Sequence, residues 1–276
     1  MATKVGYIGI GRIGKIIASN VLAGEYPLMV YDLQEEPLRE LERLGAQVAS
    51  SPKEVAEFAD IIELSVVNDE QVENVVLGKD GVLEGARPGS IIAIHSTIEP
   101  ETAVKIGEKA KEVGVGVVDA PISGGQEGGL DKTLLYMVGG DKELFDRCQP
   151  LFSTSGTTIV HMGPLGSGAA MRIVHHVILG LNRLAVDEGM KVAGALGLDP
   201  ATVCEAVHGG EAQSHVTDRY LQKYRDMTTS GLYRIAGIAL RIGYDHGIPL
   251  VGPALFQQLY LPTQEKLKNL SFAPRS

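Results

Sequence analysis

Gly9-Ile10-Gly11-Arg12-Ile13-Gly14 closes an apolar run that begins at Val5 and opens a helical pattern. In a strand–loop–helix each of these glycines has its own task. The first permits the tight turn, the second lets the backbone approach a pyrophosphate, and the third lets helix and strand pack closely. The unpaired N–H groups and positive dipole end of the helix then suit the phosphates. Asp32 ends the next apolar run, where a carboxylate receives the hydroxyls of an adenosine ribose. Leu33 and Gln34 follow it, with no Lys or Arg beside it to hold a 2′-phosphate, which the carboxylate would itself repel. The pattern predicts NAD as cofactor, with NADP less favoured, held by Gly9, Ile10, Gly11, Arg12, Ile13, Gly14 and Asp32. The plainer alternative is a tight glycine turn and a helix-capping aspartate.

These residues need a sheet to position them. Val5–Ile10, Leu28–Asp32, Ile61–Val67, Ser90–His95, Val115–Asp119, Leu134–Val138 and Thr158–His161 read as strands, several bounded by Gly, Pro or Asp. Segments with apolar residues at three- and four-residue spacing lie between most of them, such as Ile13–Ala23 and Glu101–Val113. Strands alternating with helices imply βαβ units and an α/β fold with a doubly wound, mostly parallel sheet. Beyond about residue 163 the strand signal stops. A long helical pattern runs from Ser167 to Leu196, and Pro200–His208, Gln213–Tyr224, Leu232–Tyr244 and Pro253–Asn269 read as further helices. The expected organisation is a cofactor-binding domain over 1–163 and an all-α domain over 164–276. A helix over 165–196 would join them, placing a cleft between the two.

Composition narrows the function. Of 276 residues, 44% are hydrophobic and 21% charged, which is globular rather than disordered. Lys and Arg total 25 against 34 Asp and Glu, a formal charge of −9, so no electrostatic footprint for nucleic acid or anionic membrane is expected. No stretch of about 18 apolar residues suggests a membrane span. Lys4 precedes an apolar run, but Arg12 and Lys15 interrupt it before a signal-peptide core is complete, so a cytoplasmic protein is expected. Cys148 and Cys204 form no metal-ligand or redox spacing and read as free thiols of a reducing compartment. No metal site is expected.

Three further motifs are more specific. His95-Ser96-Thr97-Ile98-Glu99-Pro100 follows one strand. Asp119-Ala120-Pro121-Ile122-Ser123-Gly124-Gly125 follows another and leads to Gly128, Thr133-Leu134 and Met137-Val138-Gly139-Gly140. Gly166-Ser167-Gly168 opens the long helix. In this order and spacing, from about Val5 to about Pro200, the chain resembles the β-hydroxyacid dehydrogenase family, which includes 3-hydroxyisobutyrate and tartronate semialdehyde enzymes. The resemblance implies an N-terminal Rossmann domain, a long interdomain helix, a helical C-terminal domain, and homodimers or homotetramers. It also implies hydride transfer between NAD(P) and the carbon β to a carboxylate of a small-molecule substrate. By the same resemblance Ser123, Gly124 and Gly125 hold the substrate carboxylate, Thr97 lies near the nicotinamide, and Val67 and Asn68 touch the adenosine half. A serine hydroxyl beside successive N–H groups of a glycine turn is a sound anion nest. The alternatives are a simple β-turn at Ser123 and a local cap before Pro100 at Thr97.

The chain also departs from the family. Four residues past its helix-opening glycines the family has a catalytic lysine, and four further on an asparagine; here those positions are Arg172 and His176. The Lys-Asp pair of a later helix is missing too, since Arg234 is followed by Ile235. Alcohol oxidation needs a group that takes the hydroxyl proton. Arginine is too basic for that, although its fork of donors can bind a carboxylate or polarise a carbonyl. With Arg172 as anchor, His176 becomes the expected proton carrier and His175, about 100° round the helix, its reserve and a substrate contact. Otherwise His176 packs between domains and Arg172 pairs with an acid. Two other functions stay open on these residues: an imine or non-acid ketone reductase of the same architecture, and a silent nucleotide-binding relative.

Overall fold

The computed structural model describes residues 2–224 and 230–259. The chain divides into two compact units, Met1–Arg172 and Ile173–Ser276.

Short runs of β-branched and aliphatic residues build the sheet of the first unit. In chain order its elements are β1 (Val5–Ile8), α1 (Arg12–Ala23), β2 (Leu28–Tyr31), α2 (Glu35–Arg43), β3 (Gln47–Val48), α3 (Pro52–Phe58), β4 (Ile61–Leu64), α4 (Asp69–Leu77), α5 (Val82–Gly85) and β5 (Ile91–Ile94). There follow α6 (Pro100–Glu112), β6 (Gly116–Asp119), β7 (Ile122–Ser123), α7 (Gly125–Leu130), β8 (Leu134–Gly139), α8 (Lys142–Phe152) and β9 (Gly156–Gly163). The strand order is β3-β2-β1-β4-β5-β6-β8-β7, with β9 also on β8. From β3 to β6 all pairings are parallel, a doubly wound arrangement that crosses over between β1 and β4. β8 runs antiparallel to β6 and β7 but parallel to β9.

Every residue of β1, β4 and β5 is buried, as strands covered on both faces must be. Alternation sorts their side chains into two cores. Val5, Tyr7, Ile61, Ile91 and Ala93 point to the core that includes α1 and α8; Ile8, Ile62, Leu64, Ile92 and Ile94 point to the one beneath α3, α4 and α6. Glu63 is the one charged side chain of β4, and it is 1% exposed.

The remaining helices are α9 (Ser167–Ala195), α10 (Pro200–His208), α11 (His215–Asp218), α12 (Ser230–Asp245) and α13 (Val251–Leu259). α9 begins in the first unit and continues as the main helix of the second. Within the second unit Ile173 packs with Ile235, Ile238 and Ala239, while Phe256 packs with Leu232 and Ala236. Asp187 accepts hydrogen bonds from Arg183 Nε and the Tyr220 hydroxyl, both at 2.9 Å.

Sequence and structure differ locally. The helix expected over Gln213–Tyr224 is two pieces: α11, opened by a Ser214–Thr217 capping box, and a π-helical turn at Tyr220–Tyr224. The strands expected to reach Ile10 and Val67 leave the ladder at Ile8 and Leu64. Ile10 remains buried there, so the apolar run outlasts the hydrogen bonding. The two-residue strands β3 and β7 were too short for a periodic signal. The expected helix Pro253–Asn269 is observed as far as Leu259, and its remainder lies outside the described residues.

Candidate active site at the carboxyl edge of the sheet

Parallel strands deliver their carboxyl ends to one edge, and ligands of open α/β sheets bind there. In this chain β1 leads into the glycine loop, β2 to Asp32, β4 through its following loop to Val67 and Asn68, and β5 to Thr97, while β6 ends at Asp119, a few residues before Ser123.

The glycine loop fits a dinucleotide. Gly9 has φ +93°, and a Cβ there would stand 2.5 Å from the Ser65 carbonyl oxygen. A Cβ on Gly14 would lie 2.0 Å from the Gly9 carbonyl oxygen, so the third glycine sets the approach of α1 to β1. A Cβ on Gly11 would meet nothing within 4 Å: that side of the loop is open, as a site for an approaching phosphate must be. Gly11 is the N-cap of α1 and supplies no side chain to its first-turn N–H groups, leaving those donors for an anion. Arg12 is exposed at the first helical position.

Asp32 organises the loop as well as facing it. One carboxylate oxygen accepts the Ile10 N–H at 2.6 Å and the other the Gln34 N–H at 2.8 Å. An ionised carboxylate has about four acceptor sites, so capacity remains for ribose hydroxyls. Asn68 caps α4, accepting the Gln71 N–H at 2.9 Å, and Val67 is exposed beside it. Thr97 is half-buried, and the N-cap of α6 is Glu99.

Gly124 and Gly125 after Ser123 have φ +127° and +65°, a backbone that side-chain-bearing residues rarely adopt. The short helix they begin is fixed to α1: Asn20 Nδ2–H donates to the Gly129 carbonyl at 2.9 Å in a buried contact. The turn expected to hold a carboxylate and the helix expected to hold phosphates are therefore braced against each other.

Asp119 was not among the sequence candidates, although its motif was. It is fully buried, and its carboxylate accepts the N–H groups of Gly166 at 2.8 Å and Ala169 at 2.6 Å, at the start of α9. Burial pushes its pKa up to about 6, against the opposing effect of those hydrogen bonds. Arg172 follows on the same helix, with a pKa lowered by burial to about 10, which leaves it a cation at neutral pH. His175 and His176 come next, in the second unit, with ring centroids 5.8 Å apart.

Among the described residues no group of His, Cys, Asp and Glu is arranged to hold a metal ion, and no helix is long and apolar enough to cross a membrane.

Comparison with known proteins supplies the context for this edge. Residues 4–163 match the family described as the NAD-binding domain of 6-phosphogluconate dehydrogenase. Residues 166–270 match the NAD-binding family of NADP-dependent 3-hydroxyisobutyrate dehydrogenase. The chain is 31% identical over 264 residues to 2-(hydroxymethyl)glutarate dehydrogenase of Eubacterium barkeri, covering 93% of this chain and 88% of that one. It is 32% identical over 218 residues to mouse mitochondrial 3-hydroxyisobutyrate dehydrogenase, covering 79% and 65%. Its fold resembles that of Mycobacterium tuberculosis 3-hydroxyisobutyrate dehydrogenase, a structure with L-serine, at a TM-score of 0.84, 22% identity and coverage of 94% and 93%. A Streptomyces aurantiacus imine reductase shares the fold at a TM-score of 0.66 and 18% identity, covering 93% of each chain. With both parts of the chain matched and full-length relatives above 30% identity, the chain belongs to the β-hydroxyacid dehydrogenase family, the NAD(P)-dependent oxidoreductases of the 3-hydroxyisobutyrate dehydrogenase type that act on CH–OH groups.

Proposed function

We propose that this protein oxidises the alcohol of a small hydroxyacid, or reduces the corresponding semialdehyde, with NAD as the preferred cofactor. The observation that carries the reading is the Ser123-Gly124-Gly125 turn, held in a glycine-only backbone and bonded through Gly129 to the helix behind the glycine loop. Its counterpart in chemistry is the acid substrate named for the hydroxymethylglutarate relative. NAD, when bound, supplies the two-electron acceptor. Gly9, Ile10, Gly11, Arg12, Ile13 and Gly14 would hold its pyrophosphate, Asp32 its ribose, and Val67, Asn68 and Thr97 the flanks. Preference for NAD is supported by Leu33, exposed after Asp32, and by the engagement of Arg39, the basic residue of α2 nearest in sequence, with Glu35 at 2.6 Å.

The substrate carboxylate is assigned to Ser123 and the N–H groups of Gly124 and Gly125. Arg172 is assigned to the substrate oxygen or carboxylate as a fixed cation. His176 takes the hydroxyl proton in oxidation and returns it in reduction, because an imidazole with a pKa near about 6.5 exchanges protons in both directions at neutral pH. His175 is the reserve contact.

Initial rates over a panel of hydroxyacids, neutral secondary alcohols and cyclic amines, each with NAD and NADP, test this reading. Hydroxyacids with NAD are expected to be the best pair. Ser123→Ala is expected to raise KM for the acid by about tenfold with a smaller change in kcat, as loss of one charge-assisted hydrogen bond implies. Better turnover of amines or neutral alcohols than of any acid would replace the reading by reduction of an imine or ketone.

A further inference from the structure

A buried ion-pairing contact lies beneath the same edge and takes no part in the chemistry above. Glu63 of β4 and His95, the residue after β5, are 1% and 0% exposed at their side chains, and His95 Nε2 is 2.9 Å from Glu63 Oε1. The other ring nitrogen, Nδ1, is 2.8 Å from the carbonyl oxygen of Ala120, the residue after β6. A carbonyl only accepts, so Nδ1 carries a proton and donates it. Nε2 and Glu63 then share one proton, as imidazolium with carboxylate or as imidazole with carboxylic acid. In either form the pair is neutral, which is what burial demands.

Around it stand Tyr7, Tyr136 and Phe152, with ring centroids 6.3, 5.6 and 5.5 Å from His95. Burial, aided by the nearby Glu63 carboxylate, holds both tyrosines well above their ordinary pKa and lifts the Cys148 thiol to about 12, so these neighbours stay neutral. Well-packed apolar residues would serve stability here as well as an ion pair does. What they would not do is bond to a particular strand end.

The backbone ladders of β4, β5 and β6 end at Leu64, Ile94 and Asp119, and the chains then leave the sheet as loops. One backbone bond continues past each ladder, from His95 N–H to the Leu64 carbonyl and from Ala120 N–H to the Ile94 carbonyl, both at 2.8 Å, and side chains then add to the bonding. His95 joins β4 to β5 and, through Ala120, joins both to β6. Ser96 Oγ accepts the Val66 N–H at 2.9 Å, and the Ser65 hydroxyl pairs with the Tyr7 hydroxyl of β1 at 2.7 Å. We propose that Glu63 and His95 are positioning residues of this enzyme: their shared-proton bond and the His95–Ala120 bond clamp three strand ends, fixing the loops that carry Val67 and Asn68, Thr97, and Ser123. The proposal rests on the assignment of those loops to cofactor and substrate.

The test uses the full-length protein and the variants Glu63→Leu/His95→Leu, Glu63→Gln and His95→Gln. Three measurements are made: hydrogen exchange by peptide mass spectrometry, NADH affinity, and the KM and kcat of hydroxyacid turnover. The double leucine variant removes both polar groups together and is expected to keep a melting temperature near that of the parent. Its exchange over 65–68, 96–98 and 120–125 is expected to rise by about tenfold, with NADH affinity falling about fivefold, as loss of two buried tethers implies. Glu63→Gln preserves both hydrogen bonds with a neutral imidazole and is expected to retain parental exchange within about threefold. A folded double variant with parental exchange and NADH affinity overturns the proposal. If the double variant does not fold, the single variants decide: His95→Gln can reach only one of the two partners, so its exchange over 120–125 must exceed that of Glu63→Gln, and equality overturns the clamp. Absence of hydroxyacid turnover in the parent would sink the substrate assignment alone, because exchange and NADH affinity still decide the role of the pair.

Discussion

The carboxylate of Asp119 accepts the N–H of Ala169 at 2.6 Å, so the last residue of β6 holds the first turn of α9. Space for this contact is made by two glycines. A Cβ on Gly139 would stand 2.3 Å from Asp119 Oδ1, and one on Gly168 would stand 2.5 Å from the Asp119 carbonyl oxygen. Arg172 is three residues along the same helix, so the position of a proposed substrate anchor depends on the buried Asp119 carboxylate.

That dependence has a pH signature. The Asp119 pKa is about 6, and below it one oxygen becomes a donor facing backbone donors. Turnover is expected to decline below about pH 6 on this account, and Asp119→Asn, with one acceptor oxygen instead of two, to lower kcat/KM by about tenfold at pH 7.5. The stability linkage has the opposite sign. A carboxyl group with a raised folded pKa takes up its proton more readily in the fold, so its contribution is present below the unfolded value of 3.8 and is lost as pH rises through about 6. Chemical denaturation from pH 3.5 to 7.5 should therefore show parental stability, relative to Asp119→Asn, falling between about pH 4 and 6. A pH-independent difference would mean that Asp119 is not the titrating cap.

The glycine loop separates folding from binding. Gly14→Ala would push a methyl against the Gly9 carbonyl and is expected to destabilise the fold by about 2–4 kcal/mol. Gly11 has φ −67°, which any residue adopts, and open space beyond it. Gly11→Val should fold with a near-parental melting temperature yet bind NADH at least about tenfold more weakly, by filling the pyrophosphate approach. Parental NADH affinity in Gly11→Val would move the phosphates elsewhere.

These contrasts show how far the sequence reaches. The spacing of Gly9, Gly11 and Gly14 states three separate tasks because all three act within one loop. The apolar runs of β1, β4 and β5 are legible because strands buried on both faces leave no polar alternation to confuse them. Asp119 and Ala169, fifty positions apart, and Glu63 and His95, thirty-two apart, are joined only by the fold. A local pattern cannot show such pairs. The charge at Glu63 inside an apolar run was nevertheless a usable signal, since a carboxylate buried in a strand requires a partner. The Ser214 capping box and the π-helical turn that follows likewise divide a stretch whose apolar spacing alone suggested one helix.

On the proposed assignment, Asp32 sets the choice of cofactor through its charge and through the loop it ties to Ile10. Asp32→Ala removes both acceptors and the repulsion of a 2′-phosphate. It is expected to weaken NAD binding by about ten- to a hundredfold, as loss of charged hydrogen bonds implies, while NADP changes little, so the two affinities converge. Isothermal titration of parent and variant with each cofactor measures this directly. A parent that binds NADP as tightly as NAD contradicts the assignment of Asp32 to the ribose.

The proposed assignment of Arg172 to the position of the family's lysine makes the proton path the sharpest question about turnover. Arg172 remains charged at neutral pH even with a pKa near 10, so it cannot take the alcohol proton. His176 lies one helical turn further along α9, on the same face as Arg172, and as a neutral imidazole it can. His176→Ala is expected to lower kcat by about 10²- to 10⁴-fold and to remove a pH–rate inflection between about pH 6 and 7.5, leaving any acid limb to Asp119. His175→Ala, about 100° away around the helix, should retain that inflection. Arg172→Lys should keep part of the activity, because an ammonium replaces the charge and supplies a proton of its own. Pre-steady-state rates with a deuterated alcohol carbon would show whether the lost rate belongs to the chemical step. Near-parental kcat and an unchanged profile in His176→Ala would instead assign the proton to another group or to water.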